Sequence, residues 1–285
     1  MKAVKIVNYF FLSIACLLVL VPVMFFRLDR YPEKPMVVVI PSYKNEQWVE
    51  KNLSSVFNQK YSNYRIIYID DCSPDSTYEK VQLLTQAHKQ EHRTTIIHNQ
   101  ERQGALANLY KAIHSCKDDE IIVQIDGDDW LAHDHVLAYI NCLYADKNIW
   151  LTYGQFQEFP SGRIGHLYSQ HFPKHVIKNN SMRTYKGLPM SHLRTCYAWL
   201  FKSINIDDLM YEGKFYSMSW DKAILAPMIE MAANHYTCSS EILYIYNNSN
   251  PINDHKVNVQ LQHALADHIA HLKPYQPLEL HKECA

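Results

Sequence analysis

The chain has 285 residues, 47% of them hydrophobic and 20% charged, with a formal net charge of −1. That length admits one large α/β domain or two small ones, and a near-neutral chain with scattered basic residues and no arginine-rich arm argues against nucleic acid as a partner. Its seven cysteines are widely spaced with no CxxC pair, which argues against a structural zinc site or a thioredoxin-like motif and leaves one or two disulfides open.

Residues 1–5 form a short N-terminal tail. Residues 6–26 are an uncharged apolar run that would span about 31 Å as a helix, the thickness of a bilayer core. Lys2 and Lys5 precede the run, and Arg27 and Arg30 follow it. The run is longer than a secretory h-region and lacks a small-x-small cleavage site, so it reads as a single-pass membrane anchor. Positive charge at both ends leaves the side of the membrane open. Residues 27–35 form a proline-punctuated linker.

From there the pattern alternates. Residues 36–40 are a fully apolar strand of the kind buried in a parallel sheet, and residues 65–69 are a second buried strand. Residues 46–58 carry Trp48, Val49, Leu53, Val56 and Phe57 at helical spacing. A helix over 75–89 should turn Val81, Leu83 and Leu84 inward. A third strand covers 94–98, a Gly104-led helix runs to His114, and a fourth strand covers 120–125. This alternation predicts right-handed crossovers and a mostly parallel sheet with helices on both faces. Beyond Leu151 it breaks down, and residues 151–265 read as loops, short strands and helices laid over one end of the sheet. The clearest helix there is 221–233, with Pro227 kinking it or near its start. Residues 266–285 read as a C-terminal tail.

The most informative stretch is the fourth strand running into Asp126-Gly127-Asp128-Asp129-Trp130. Three carboxylates in four positions repel each other unless a cation sits among them, and hard divalent ions take oxygen ligands of this kind. An acidic loop capping the next helix is the plainer reading. Gly127 would let the backbone turn tightly. The other early strands also end in polar residues: Pro41 to Glu46, Asp70 to Ser76, and His98 to Gln100 followed by Gly104 and Ala105. Open α/β sheets bind ligands at that edge, so one nucleotide-sized ligand could touch all four ends.

Four pieces in order carry a resemblance: Val-Ile-Pro-Ser-Tyr-Lys-Asn-Glu at 39–46, Ile-Asp-Asp-Cys-Ser-Pro-Asp-Ser-Thr at 69–77, Gln-Gly-Ala-Leu-Ala-Asn at 103–108, and Asp-Gly-Asp-Asp-Trp at 126–130. With them the chain resembles the inverting glycosyltransferases of family 2, which have the Rossmann-like GT-A fold. The likeness is strong over about 37–130 and weaker to about 233. It implies a glycosyltransferase domain over 36–265, with a nucleotide-sugar-binding half at 36–150 and an acceptor half at 151–265. It also implies a hexosyl- or N-acetylhexosaminyltransferase that uses Mn²⁺ or Mg²⁺ and a nucleotide-diphosphate sugar. The acceptor would be a glycan, lipid or protein.

By the same resemblance, Pro41 and Tyr43 line the nucleotide base, with Glu46 beside them. Asp71 accepts from the N3–H of a uracil, with Asp70 next to it, and this favours a UDP-sugar. For both aspartates an Asx turn or helix cap is the structural alternative. Gly104 approaches a phosphate, or is an ordinary helix-start glycine. Asp126 approaches the ribose and metal-bound water, and Asp128 binds the metal. His255 is a candidate third ligand, one of 16 histidines. Asp221 stands where the family has its catalytic base, although Trp220 replaces the usual preceding Glu. Residues 191–199 mix His192, Arg194 and aromatic residues, and suit either a phosphate or sugar contact or a plain amphipathic helix around Trp199. Two other classes remain in view: a degenerate glycan-binding scaffold on the same fold, and a sugar-1-phosphate nucleotidyltransferase. The second is disfavoured because 41–46 has no glycine.

Overall fold

The computed structural model describes residues 31–165, 170–185, 191–252 and 254–279, the side chains of residues 254 and 255 excepted. The expected membrane anchor lies outside the described residues. Among those described, no helix is long and apolar enough to cross a membrane.

The strands are β1 (Met36–Ser42), β2 (Tyr64–Asp70), β3 (Thr94–His98), β4 (Ile121–Gln124), β5 (Trp130–Leu131), β6 (Leu151–Phe159), β7 (Arg194–Tyr197), β8 (Met210–Tyr211), β9 (Lys214–Phe215) and β10 (Tyr236–Asn247). The helices are α1 (Val49–Phe57), α2 (Thr77–Ala87), α3 (Ala105–His114), α4 (Val136–Leu143), α5 (Lys174–Lys178), α6 (Ala198–Lys202), α7 (Trp220–Ala232), α8 (Asp254–Val257) and α9 (Val259–His271). One eight-stranded sheet has the order β3-β2-β1-β4-β7-β6-β10-β5. β1, β2, β3 and β4 are mutually parallel, as are β6 and β10. β7 runs antiparallel between β4 and β6, and β5 runs antiparallel to β10 at the edge.

The apolar strands form the centre as their composition dictates. Val37, Val38, Val39 and Ile40 in β1 are all fully buried. Each such side chain contributes roughly 1.5–3 kcal/mol over an exposed one. In α2, Val81 is buried, but Leu83 is 64% exposed, so it does not face the core as its periodicity suggested. Leu84 packs against the core, as expected.

The second half departs from expectation more. It extends the sheet, since β6, β7 and β10 continue the hydrogen bonding from β4 outward. Residues 191–199 are not one amphipathic helix; they hold β7 and the start of α6. Pro227 lies inside α7 rather than at its start. The stretch expected as a C-terminal tail is tied to the domain as far as Leu278. Ile269 is fully buried, Tyr275 donates from its hydroxyl to Asp208 at 2.6 Å, and the Leu278 amide donates to the Met231 carbonyl at 2.9 Å. Beneath that stretch, Arg183 and Glu230 form a buried two-bond ion pair at 2.7 and 2.8 Å.

Candidate active site

Strand direction decides what reaches the rim. The parallel strands β1 and β4 end there with Pro41 to Asn45 and with the acid loop 126–129. β7 runs the other way, with Arg194 paired to Gln124. Its N-terminal end therefore brings His192 and Arg194 to the same edge. β10 ends there too, and α7 opens onto it with Asp221. The result is a cleft of about 260 Å³ lined by Pro41, Tyr43, Arg102, Asp126, Asp128 and Asp221, among others.

The acid loop is held by side chains far away in sequence. Asn52 of α1 donates to the carbonyls of Asp126 at 3.1 Å and Asp129 at 2.7 Å. The Tyr244 hydroxyl receives the Asp126 amide at 3.1 Å and donates to Asp129 Oδ2 at 2.7 Å. The Asn247 amide donates to Asp129 Oδ1 at 2.6 Å, and its side chain donates to the Asp128 carbonyl at 3.2 Å. Asn250 donates to Asp128 Oδ2 at 2.7 Å. Gly127 is required by space rather than by a left-handed turn: a Cβ there would lie 2.4 Å from Ser42 Oγ and 2.7 Å from Asn45 Nδ2.

Three acids in this loop compete for charge. Burial first, then the charges of Asp128 and Asp126, raise Asp129 well above the usual carboxylate range. Burial also raises Asp128, against the hydrogen bond from Asn250. A divalent cation would remove that penalty, and an all-oxygen donor set suits a hard ion. Ligand atoms of Asp126, Asp129 and His192 lie within 4.8 Å of one another. Asp129 has both oxygens hydrogen-bonded, and His192 Nε2 faces Arg194 Nη2 at 3.2 Å. Arginine can only donate, so Nε2 accepts and the ring proton of the neutral imidazole sits on Nδ1. Burial, then the charge of Arg194, holds His192 well below the usual histidine range and hence neutral. The loop thus offers a hard cation carboxylate oxygens, with Asp126 and Asp128 the candidate ligands expected from the sequence and Asp129 bracing the loop. The His255 side chain lies outside the described residues.

Asp221 stands in the first turn of α7 and lines the cleft. Its Oδ1 accepts from the Lys222 amide at 2.8 Å and its Oδ2 from Arg194 Nη2 at 3.3 Å. The carboxylate is 46% exposed, which leaves it open to a ligand.

The remaining expected residues divide between the cleft and the wall behind it. Pro41 and Tyr43 line the cleft, and the Arg102 guanidinium lies over the Tyr43 ring at 3.9 Å. Glu46 faces a neighbouring crevice, paired with Lys80 at 3.2 Å. Asp70 is fully buried and takes hydrogen bonds from His98 at 2.8 Å and the Ser73 amide at 3.2 Å. Asp71 is 3% exposed and holds a turn. Its Oδ1 accepts from the Gln103 amide and Asn99 Nδ2, and its Oδ2 from the Gly104 amide, all at 2.8 Å. A uracil N3–H would have to share those oxygens. Burial alone would raise Asp71, but nearby donors, the amides of Gln103 and Gly104 and the side chain of Asn99 among them, outweigh it and lower its pKa. Gly104 caps α3 with φ +88, and a Cβ there would meet nothing within 4 Å. Its conformation, not a close approach, selects glycine.

Sequence reasoning missed Asn52, Tyr244 and Asn247. Only the polar residue in an otherwise apolar helix face, at Asn52, carried a readable signal. Among the described residues, none of the five cysteines forms a disulfide.

Comparison with known proteins bears on the family and the fold. The chain is 30% identical over 190 residues to the putative colanic acid biosynthesis glycosyl transferase WcaA of Escherichia coli, covering 64% of this chain and 63% of that one. It is 32% identical over 97 residues to the putative teichuronic acid biosynthesis glycosyltransferase TuaG of Bacillus subtilis, covering 34% and 37%. The chain thus spans between about a third and two thirds of these curated relatives. Among solved structures, S. aureus TarS bound to UDP-GlcNAc superposes with a TM-score of 0.55 at 13% identity, over 75% of this chain and 58% of that one. The mannosyltransferase PcManGT from Pyrobaculum calidifontis, with GDP-Man and Mn²⁺, gives 0.53 at 18% identity, over 82% and 66%. These likenesses show a GT-A-like fold. Residues 37–208 match the family described as Glycosyl transferase family 2, and with more than half of the sequence inside that match, the chain belongs to this family.

Proposed function

We propose that this chain is a membrane-anchored, metal-dependent, inverting glycosyltransferase. It would move a hexosyl or N-acetylhexosaminyl group from a nucleotide-diphosphate sugar, a UDP-sugar first, to a hydroxyl of a glycan, lipid or protein. The observation that carries this reading is the shared cleft, in which Asp126 and Asp128 stand on one loop and Asp221 opens a helix on another element. Pro41 and Tyr43 would hold the base, while Asp70 and Asp71 shape its pocket from behind. Asp126 and Asp128 would hold the divalent ion, which when bound neutralises the departing diphosphate. Asp221 would take the proton from the acceptor hydroxyl as its oxygen attacks the anomeric carbon. A single displacement of this kind inverts the anomeric centre.

The sugars named for similar proteins set the first donors to try. TarS is solved with UDP-GlcNAc and PcManGT with GDP-Man. A relative 27% identical over 121 residues, WfgD of Escherichia coli, is described as a glucosyltransferase using UDP-Glc; the match covers 42% of this chain and 45% of that one. The test is nucleoside diphosphate release from these three donors by the full-length protein in detergent, with Mn²⁺ or with chelator. Release that needs the metal is expected. Equal release in chelator would overturn the metal role, and no release from any of the three would count against the reading itself.

A further inference from the structure

Of the two arginines that line this cleft, Arg102 lies over Tyr43, while Arg194 is buried and neither the fold nor the acid loop explains it. It is 7% exposed, yet its Nε and Nη1 are buried with no hydrogen-bond partner among the described residues. A buried guanidinium with two unsatisfied donors costs stability rather than adding to it. What it does have are two contacts through one nitrogen. Nη2 donates to Asp221 Oδ2 at 3.3 Å and faces His192 Nε2 at 3.2 Å. Its guanidinium carbon also sits 5.9 Å from the centre of the Trp220 ring, beside the same helix start.

His192 extends the arrangement across the cleft. Its ring stacks on Tyr244 with centroids 4.4 Å apart and an 11° tilt. The Tyr244 hydroxyl is the donor that holds Asp129. A continuous set of contacts therefore runs from the acid loop through Tyr244, His192 and Arg194 to Asp221. The carboxylate end of that set is half-open while the rest is buried, which is the arrangement expected of a support shell beneath a working group.

We propose that Arg194 is a positioning residue for Asp221: braced by His192 and Tyr244 against the acid loop, it fixes the direction of the carboxylate relative to the donor. The proposal rests on the reading of Asp221 as the base. Lys222 holds Oδ1 and Arg194 holds Oδ2, so the carboxylate cannot rotate without breaking one bond. The oxygens then keep their remaining lone pairs toward the cleft, where an acceptor hydroxyl would sit. A misplacement of about 1 Å at such a group costs about 10²-fold in rate.

The experiment is a double-mutant cycle on the full-length protein in detergent, with Mn²⁺ and UDP-glucose, UDP-GlcNAc and GDP-mannose as donors and water as acceptor. Nucleoside diphosphate release is read for Asp221→Asn, Arg194→Met and the pair, and affinity for the nucleoside diphosphate is measured by calorimetry. Arg194→Met should slow release ~10²-fold at unchanged affinity. In the Asp221→Asn background it should cost less than about twofold, because there is no longer a base to aim. Losses that multiply, or a near wild-type rate for Arg194→Met beside a slow Asp221→Asn, overturn the proposal and leave the base standing. A near wild-type Asp221→Asn removes the base, and the proposal with it. If Arg194→Met loses its cooperative melt, Arg194→Lys carries the same cycle with the same criteria, since a lysine keeps the charge but not the planar fork.

Discussion

Replacing Asp71 with asparagine separates two roles that the sequence alone could not. In the structure its two oxygens receive the amides of Gln103 and Gly104 and the side chain of Asn99, each at 2.8 Å. Asparagine retains one oxygen for Gln103 and Asn99, and turns an NH₂ toward the Gly104 amide. One charge-assisted bond, worth about 1.5–3 kcal/mol, is lost, and a largely buried amide is left without an acceptor. A loss near 3 kcal/mol at neutral pH follows, or about 6–12 °C in melting temperature at ~2–4 °C per kcal/mol for a domain of this size. The pH dependence has a definite sign. Asp71 is lowered in the folded chain, so its contribution is complete above the unfolded value of about 3.9 and fades as pH falls through the folded one. The gap between Asp71→Asn and wild type should therefore close in acid. The assay is thermal melting from pH 7 to pH 3, paired with calorimetry of uridine diphosphate. A variant that melts with wild type at pH 7 would refute the role in the turn, and a loss of nucleotide affinity without a loss of stability would assign Asp71 to the base instead.

Two further outcomes follow from the same geometry. Gly127→Ala forces a methyl to within 2.4 Å of Ser42 Oγ; the end of β1 must shift, costing about 1–3 kcal/mol in a melt and nearly all donor release, and an unchanged melting temperature would contradict the packing argument. The full-length protein should stay with membranes through a high-pH carbonate wash if residues 6–26 anchor it, and appearance in the supernatant would remove the anchor.

What was legible in the sequence was what local chemistry dictates. β1, β2 and β4 announce themselves because strands buried on both faces are nearly all apolar, β3 is a short edge strand that stays partly exposed, and the polar ends of all four mark the rim. Asp126 and Asp128 could be placed at the rim because a strand end is a local feature, whereas Asp221 was placed by the family resemblance. The later strands were not legible. β7 is four residues long and begins with a buried arginine, while β10 carries Ser239, Ser240 and Glu241 across an irregular register. Their pairing is set by the open edge of β4 rather than by their own periodicity. The same cause hid the braces. Tyr244 and Asn247 meet the acid loop more than 100 residues away in sequence, and no spacing rule reaches that far. Leu83 failed for a different reason: helical period alone did not say how wide the buried stripe of α2 is.

The claim that Asp221 and the acid loop work as two sides of one displacement is tested most directly by the configuration of the sugar that first leaves the enzyme. With a donor of α configuration, UDP-glucose for instance, and water as acceptor, proton NMR on the full-length protein with Mn²⁺ should show the β anomer forming first. The α anomer as the first product would mean two displacements or a different face of attack, and would contradict a single base at Asp221.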